Sequence, residues 1–296
     1  MRRLAGVDAE LPRWSPDGKR FVYVANLLDI ESQDGAPDAY YSDRATINEI
    51  NADGTGKHVL ASSGYTGDVE WSPDGRWIAF DAGSAESERA TSSLRVMRAN
   101  GRGLRTVATR VDDSGLAWSP DGKRLAFSRS PAYGSAAIYI VTLASRRAVR
   151  VTGTGGERVT SVSWSPDGSQ IALVAGWTST AGDALEHGRA YVVDADGTNF
   201  HVVSKAGAFA KYNDFTSGAV WLPGRADQLL YNTDNGIYLA SAHAQRGRRL
   251  NTAESEPPVP SPDGTRFLFD PFNSSGKTAI YVQRIHGSAH RLTQAR

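Results

Sequence analysis

WSPDGKRFVYV at 14–24, WSPDGRWIAF at 71–80, WSPDGKRLAF at 118–127 and WSPDGSQIALV at 164–174 are near copies of one another. Two degenerate versions follow, WLPGRADQLLY at 221–231 and PSPDGTRFLF at 260–269. Successive starts are 57, 47, 46, 57 and 39 residues apart, the length range of one four-stranded sheet per repeat. Pro sets φ, Asp bonds to local backbone and Gly takes φ > 0, so each motif reads as a tight turn. An alternating strand follows it, as in Phe21 and Tyr23 or Ile78 and Phe80.

Each unit then supplies a further strand that runs toward a hairpin turn, in most units with glycine: TINEINADG (46–54), SLRVMRANG (93–101), AIYIVTLAS (137–145), RAYVVDADG (189–197), GIYLASA (236–242) and AIYVQRIHG (279–287). HVLAS (58–62), LRTVAT (104–109), AVRVTG (148–153), FHVVS (200–204), RRLNT (248–252) and HRLTQ (290–294) complete the units. Such a sheet has two apolar faces and cannot bury them alone, whereas a closed ring buries both and leaves no long free edge. The expected fold is therefore all-β, a six-bladed β-propeller of four-stranded antiparallel blades. The units run at about 8–62, 63–110, 111–155, 156–212, 213–253 and 254–296, within a single domain. Trp14, Trp71, Trp118, Trp164 and Trp221 open five motifs and are expected to pack between blades.

These repeats resemble the TolB-type, or WD40-like PD40, propeller family over essentially residues 8–296. The resemblance implies one of three settings: a protein-binding module of the bacterial envelope, a gating domain attached to a serine peptidase, or a sensor behind a kinase or winged-helix regulator. RRLAG at 2–6 looks like the fourth strand of a unit although the last unit already ends in HRLTQ. Residues 1–7 are thus either a closure strand or the remnant of an upstream segment. The basic start is followed by no apolar stretch, so it is not a signal peptide as it stands. Periplasmic or other extracytoplasmic localisation is expected if an upstream signal has been removed, and cytoplasmic localisation otherwise.

Composition narrows the function classes. Net charge is +1 from 33 basic and 32 acidic residues, which provides no broad field for a nucleic-acid backbone. No apolar run approaches the length of a membrane span, and the absence of cysteine excludes disulfides and thiolate chemistry. No G-x-S-x-G elbow occurs, so a self-contained serine peptidase is excluded.

In a propeller the loops joining strands two to three and four to one share a face with the channel mouth, and the S-P-D-G turns occupy the opposite face. The excess length falls on the mouth side, at 27–44, 176–188 and 205–218. The first insert carries Asp29, Glu31, Asp34, Asp38 and Asp43 with Tyr40 and Tyr41, a cation site or a surface for a basic partner, or else a solvated acidic loop. Trp177, His187, Lys211 and Tyr212 are the other candidate ligand-binding residues of these inserts. Trp177 either stacks on a ligand or packs under its own loop.

Residues just before each motif form the channel wall, with Glu10, Arg13, Asp68, Glu70, Asp113, Ser161, Ser163, Ser217 and Glu256 as its polar candidates. Carboxylates converging on one pore shift each other's pKa upward or hold a metal ion; a water-filled channel with ordinary acids is the plainer expectation. Glu10, Asp68, Glu70, Asp113, Glu186 and His187 are the catalytic candidates.

No cofactor is evident, and a metal ion in the channel is the one addition the acids would allow. NADGT (51–55) and DADGT (194–198) resemble the opening of a calcium loop but lack its later Glu and sit at hairpin turns. TGTGGE (152–157) lacks the Lys-Ser/Thr of a phosphate loop. His58, His201, His243, His286 and His290 show no metal spacing.

The leading expectation is a protein-, peptide- or glycan-binding module acting through the mouth-side face. The rivals are a propeller enzyme, such as a lyase, lactonase or glycan hydrolase, and a sensor or scaffold domain of a larger regulator.

Overall fold

The computed structural model describes residues 9–26, 45–63, 66, 68–83, 92–112, 115–130, 136–154, 158–178, 185–204, 218–233, 235–253, 255, 257–269, 281–286 and 289–291. They form six four-stranded sheets, each of four consecutive strands, and no helix occurs among them. Sheet one is β1 (Ala9–Trp14), β2 (Arg20–Asn26), β3 (Ala45–Asn51) and β4 (His58–Ser63). Sheet two is β5 (Val69–Trp71), β6 (Trp77–Ala82), β7 (Ser92–Arg98) and β8 (Arg105–Val111). Sheet three is β9 (Leu116–Trp118), β10 (Arg124–Arg129), β11 (Ala137–Thr142) and β12 (Ala148–Gly153). Sheet four is β13 (Arg158–Trp164), β14 (Gln170–Thr178), β15 (Leu185–Asp194) and β16 (His201–Val202). Sheet five is β17 (Ala219–Leu222), β18 (Arg225–Thr233), β19 (Gly236–Ser241) and β20 (Arg248–Arg249). Sheet six is β21 (Val259–Pro260), β22 (Arg266–Phe269), β23 (Tyr281–Arg284) and β24 (Ala289–Arg291). Successive strands pair antiparallel, and the fold class is the all-β propeller of four-stranded blades expected from the repeats.

The S-P-D-G turn explains why the motif recurs unchanged. Ser72 Oγ donates to Asp74 Oδ1 at 2.7 Å and accepts from the Trp77 amide at 2.9 Å; Asp74 Oδ1 accepts from the Arg76 amide at 3.0 Å. Gly75 closes the turn onto the Ser72 carbonyl with φ +68, a conformation that side chains with a Cβ rarely adopt. The same bonds recur around Asp17, Asp121, Asp167 and Asp263. Hydrogen bonds from the Ser hydroxyl and the amide hold the Asp263 carboxyl at about 2. The calcium-like loops are also turns: Thr55 and Thr198 amides donate to Asp53 and Asp196 Oδ1, each at 2.9 Å.

The chain divides into two compact units, Met1–Leu125 with Val141–Ala148, and Ala126–Ile140 with Val149–Arg296. In the first, Val22, Val24 and Ile47 of sheet one pack against Trp71, Ile78, Phe80 and Met97 of sheet two. In the second, Ala172, Val174 and Val192 of sheet four pack against Trp221, Leu229 and Tyr231 of sheet five. In β6 and β14 the simple alternation expected is replaced by a continuous buried run, Ile78 to Phe80 and Ile171 to Ala175, whereas β22 keeps it, with Phe267 and Phe269 buried and Leu268 exposed.

Two expectations need correction. Trp71, Trp118, Trp164 and Trp221 are buried, but Trp14 is 60% exposed and meets Phe21 edge-on at 5.5 Å. Trp118 and Trp221 each donate to a carbonyl of the preceding sheet of their unit. The insert at 176–188 is not a loop throughout: β14 runs to Thr178 and β15 starts at Leu185, with the register setting Trp177 opposite Glu186.

Candidate functional site

First strands of successive sheets lie side by side in each unit, β1 with β5 and β5 with β9 in one, β13 with β17 and β17 with β21 in the other. In the first unit this row carries charge. The pairing of β1 with β2 shifts register between Glu10 and Arg13, where Pro12 has no amide to give to a ladder. Past that irregularity, Arg13 Nε donates to Glu70 Oε1 at 2.6 Å and Nη2 to Asp68 Oδ1 at 3.4 Å. Asp68 and Glu70 share a face because they are two residues apart at the start of an extended strand.

Their backbone is fixed from both sides. The Asp68 amide donates to Asp81 Oδ1 at 2.6 Å, the Asp81 amide returns a bond to the Asp68 carbonyl at 3.3 Å, and the Trp118 indole donates to the Glu70 carbonyl at 3.2 Å. Asp68 stands where the fourth-to-first connection enters sheet two, and Asp81 lies near the exit of β6. The cluster is thus at the end of the sheet opposite the Ser72–Gly75 turn.

The group is recessed, with side chains 37% (Arg13), 18% (Asp68) and 31% (Glu70) exposed. Burial pushes the Glu70 carboxyl up to about 7; Arg13 pulls against that shift and Asp68 adds to it. Burial likewise raises Asp68, against Arg13 and the amides of Val69 and Leu116. Burial opposes the Arg13 charge, but Glu70 and then Asp68 outweigh it and hold the guanidinium above its usual range. The arrangement offers a charged donor beside two acids, one of which exchanges its proton near neutrality.

Sequence reasoning names Arg13, Asp68 and Glu70 as wall residues, and the structure brings these three together. Ser161 and Ser163 are occupied differently, in joining sheet four to sheet five. Ser161 Oγ accepts from the Ala219 amide at 3.2 Å and the Ser163 carbonyl from the Trp221 indole at 3.1 Å. Glu10 pairs with Val24 on β1, and Glu186 and His187 lie on β15, but the side chains of these three and of Trp177 are outside the described set. Asp113, Tyr40, Tyr41, Lys211, Tyr212, Ser217 and Glu256 lie outside the described residues. Sequence reasoning misses Asp81. Its signal is a polar residue ten positions after the motif Trp, where Val24 and Val174 stand in sheets one and four. Among the described residues no group of three or more His, Asp or Glu side chains is arranged to hold a metal ion.

Residues 9–184 and 45–223 match the family described as the TolB beta propeller domain, PD40. No curated protein matches the chain by sequence. Among solved structures, the chain is similar to TolB from Acinetobacter baumannii, at TM-score 0.55 and 18% identity, over 90% of this chain and 61% of that one. It thus spans under two thirds of that protein's length. The β-propeller domain of the Trilobed protease from Pyrococcus furiosus gives TM-score 0.63 at 12% identity, covering 97% of this chain and 84% of that one. Oligogalacturonate lyase from Vibrio parahaemolyticus gives 0.65 at 13% identity, covering 98% and 80%. At such identities these likenesses speak for the fold.

Proposed function

We propose, for a chain that belongs to the TolB β-propeller (PD40) family, that it works as a binding module. A protein, peptide or glycan partner docks on the face of the strand two-to-three and four-to-one loops, with the Arg13–Asp68–Glu70 cluster as its polar anchor. The observation that carries the reading is the concentration of recessed charge at that end of sheet two. The S-P-D-G carboxylates, in contrast, are committed to their own turns. By their place in the repeat, the inserts at 27–44, 176–188 and 205–218 belong to the same two classes of loop. The working location in this reading is the periplasm or another extracytoplasmic space.

Photo-crosslinkers placed at Tyr41, Trp177 and Tyr212 test it against one placed at Lys19 in a motif turn. Capture of one partner from the first three positions, lost on Arg13→Ala, is expected. Capture from none of them, or equally from Lys19, removes the reading.

A second reading has one observation in its favour. A carboxyl at about 7 suits a general acid or base, so Glu70 would move the proton in a glycan-cleaving enzyme. An oligogalacturonate is the first substrate to try, followed by ultraviolet detection of unsaturated product and by metal analysis of the purified chain. Activity abolished by Glu70→Gln would favour this enzyme over the binder.

A further inference from the structure

A second charged surface lies on the outer strands of the first unit. Between Ser92 and Val111 the chain places five arginines (Arg95, Arg98, Arg102, Arg105 and Arg110) and no acid, although the whole chain carries a net charge of only +1. Two of them converge on one ring: the Arg105 guanidinium carbon is 5.2 Å and that of Arg98 5.9 Å from the Trp77 centroid. Register explains this, since Arg98 pairs with Trp77 across β6–β7, and Arg105 pairs with Val96, two residues along β7 from Arg98 on the same face. Arg102 sits exposed in the β7–β8 turn between them. Among the described residues Arg98, Arg102 and Arg105 make no salt bridge; the nearby acid, Asp74, faces Arg76 at 3.8 Å and is bonded into its own turn.

Stacking on an indole holds a guanidinium flat without neutralising it; Arg105 Nε is buried, which leaves the outward N–H groups to meet an oxyanion. Apolar surface continues beside it. Leu104, the residue before Arg105, is 43% exposed. On its other face the β7–β8 turn meets sheet one: a Cβ added to Gly101 would stand 2.9 Å from the Leu60 carbonyl oxygen.

We propose that this rim, Trp77 with Arg98, Arg102 and Arg105 flanked by Leu104, is a docking surface for an acidic, partly apolar peptide segment of a partner protein. Charge complementarity selects the acid, and the Trp77 indole with the exposed Leu104 selects a peptide over a bare polyanion. Arg and Trp are also the side chains that most often dominate the energy of protein interfaces. The surface is separate from the Arg13–Asp68–Glu70 cluster and stands or falls without it.

Fluorescence anisotropy with a labelled peptide of alternating Glu and Leu tests the idea on the full chain. Saturable, salt-sensitive binding is expected, weakened about tenfold by Arg98→Ala with Arg105→Ala. Trp77→Leu keeps every charge and is expected to weaken binding about threefold through loss of the stacking platform. Arg102→Glu, in an exposed turn, supplies a folded variant if Trp77→Leu melts early; it too is expected to weaken binding. The control pair Arg146→Ala with Arg147→Ala removes the same charge from another exposed turn and should leave binding unchanged. Absence of saturable binding, equal weakening by the control pair, or equally tight binding of an oligothymidylate would overturn the proposal.

Discussion

Sheets two and five tie their first strands to their second in the same way but with opposite electrostatics. In sheet two the Asp81 carboxylate accepts from the Asp68 amide at 2.6 Å; in sheet five the Asn232 side-chain oxygen accepts from the Gly218 amide at 2.8 Å. Asn232 also donates to the Ser255 carbonyl at 2.7 Å. In both sheets the second strand returns a backbone bond of 3.3 Å. Two positions before each motif Trp run differently: Asp68 and Glu70 in one sheet, Gly218 and Val220 in the other. The frame therefore does not need charge at this end. Where charge appears, on Arg13, Asp68 and Glu70, it links sheet one to sheet two by ion pairs that sheet five does without, and this contrast motivates the functional reading proposed for the cluster.

That comparison can be broken or sharpened. The largest effect is expected from the shared frame: Trp118→Ala and Trp221→Ala should each lose about 3–5 kcal/mol in urea unfolding, because each removes a buried ring and a donor to the preceding sheet. Trp14→Ala, at an exposed ring, should lose much less. Asn232→Leu follows at about 2–3 kcal/mol, since it strands a buried amide and a carbonyl together. Asp81→Asn keeps the accepting oxygen and should cost under about 1 kcal/mol; a loss as large as that of Asn232→Leu would show that the carboxylate charge itself holds sheet two. Placing the sheet-five pair into sheet two, Asp68→Gly with Glu70→Val, should leave a folded chain by circular dichroism that no longer retains the crosslinked partner.

The smallest expected effect is in pH dependence. Folded Glu70 keeps its proton up to about 7, while the unfolded chain releases it near the ordinary carboxylate value of 4.5. Between those values the native state binds more protons, so this group's contribution to stability falls as pH rises through the window. Glu70→Gln should flatten that slope in urea midpoints measured from pH 5 to 8. An unchanged slope would place the titration elsewhere.

Much of the fold is legible in the residues. Turn chemistry is local: Ser, Asp and Gly at fixed offsets satisfy one another within six residues, so W-S-P-D-G announces its conformation wherever it occurs. Repetition at 39–57 residues then implies sheets that must cover one another, and the four-strand count follows. Asp68 and Glu70 are legible as wall residues from their offset to Trp71. The partner of those acids is less so. Arg13 reaches them across 55 and 57 residues because a register irregularity beside Pro12 redirects its strand, and no local pattern states which neighbour it meets. The Trp77 stack escapes a sequence reading although the acid-free run of arginines from 92 to 111 is in plain view, since only cross-strand register tells that two of them share one ring.

By itself, then, the sequence determined the repeat, the turns and the sheets, because those depend on bonds between residues close along the chain. Tertiary structure decided which acids share a guanidinium, which carboxyl is carried to neutrality and which motif tryptophan is left exposed. Those outcomes depend on burial and on pairings between sheets, where the distance that matters is through space.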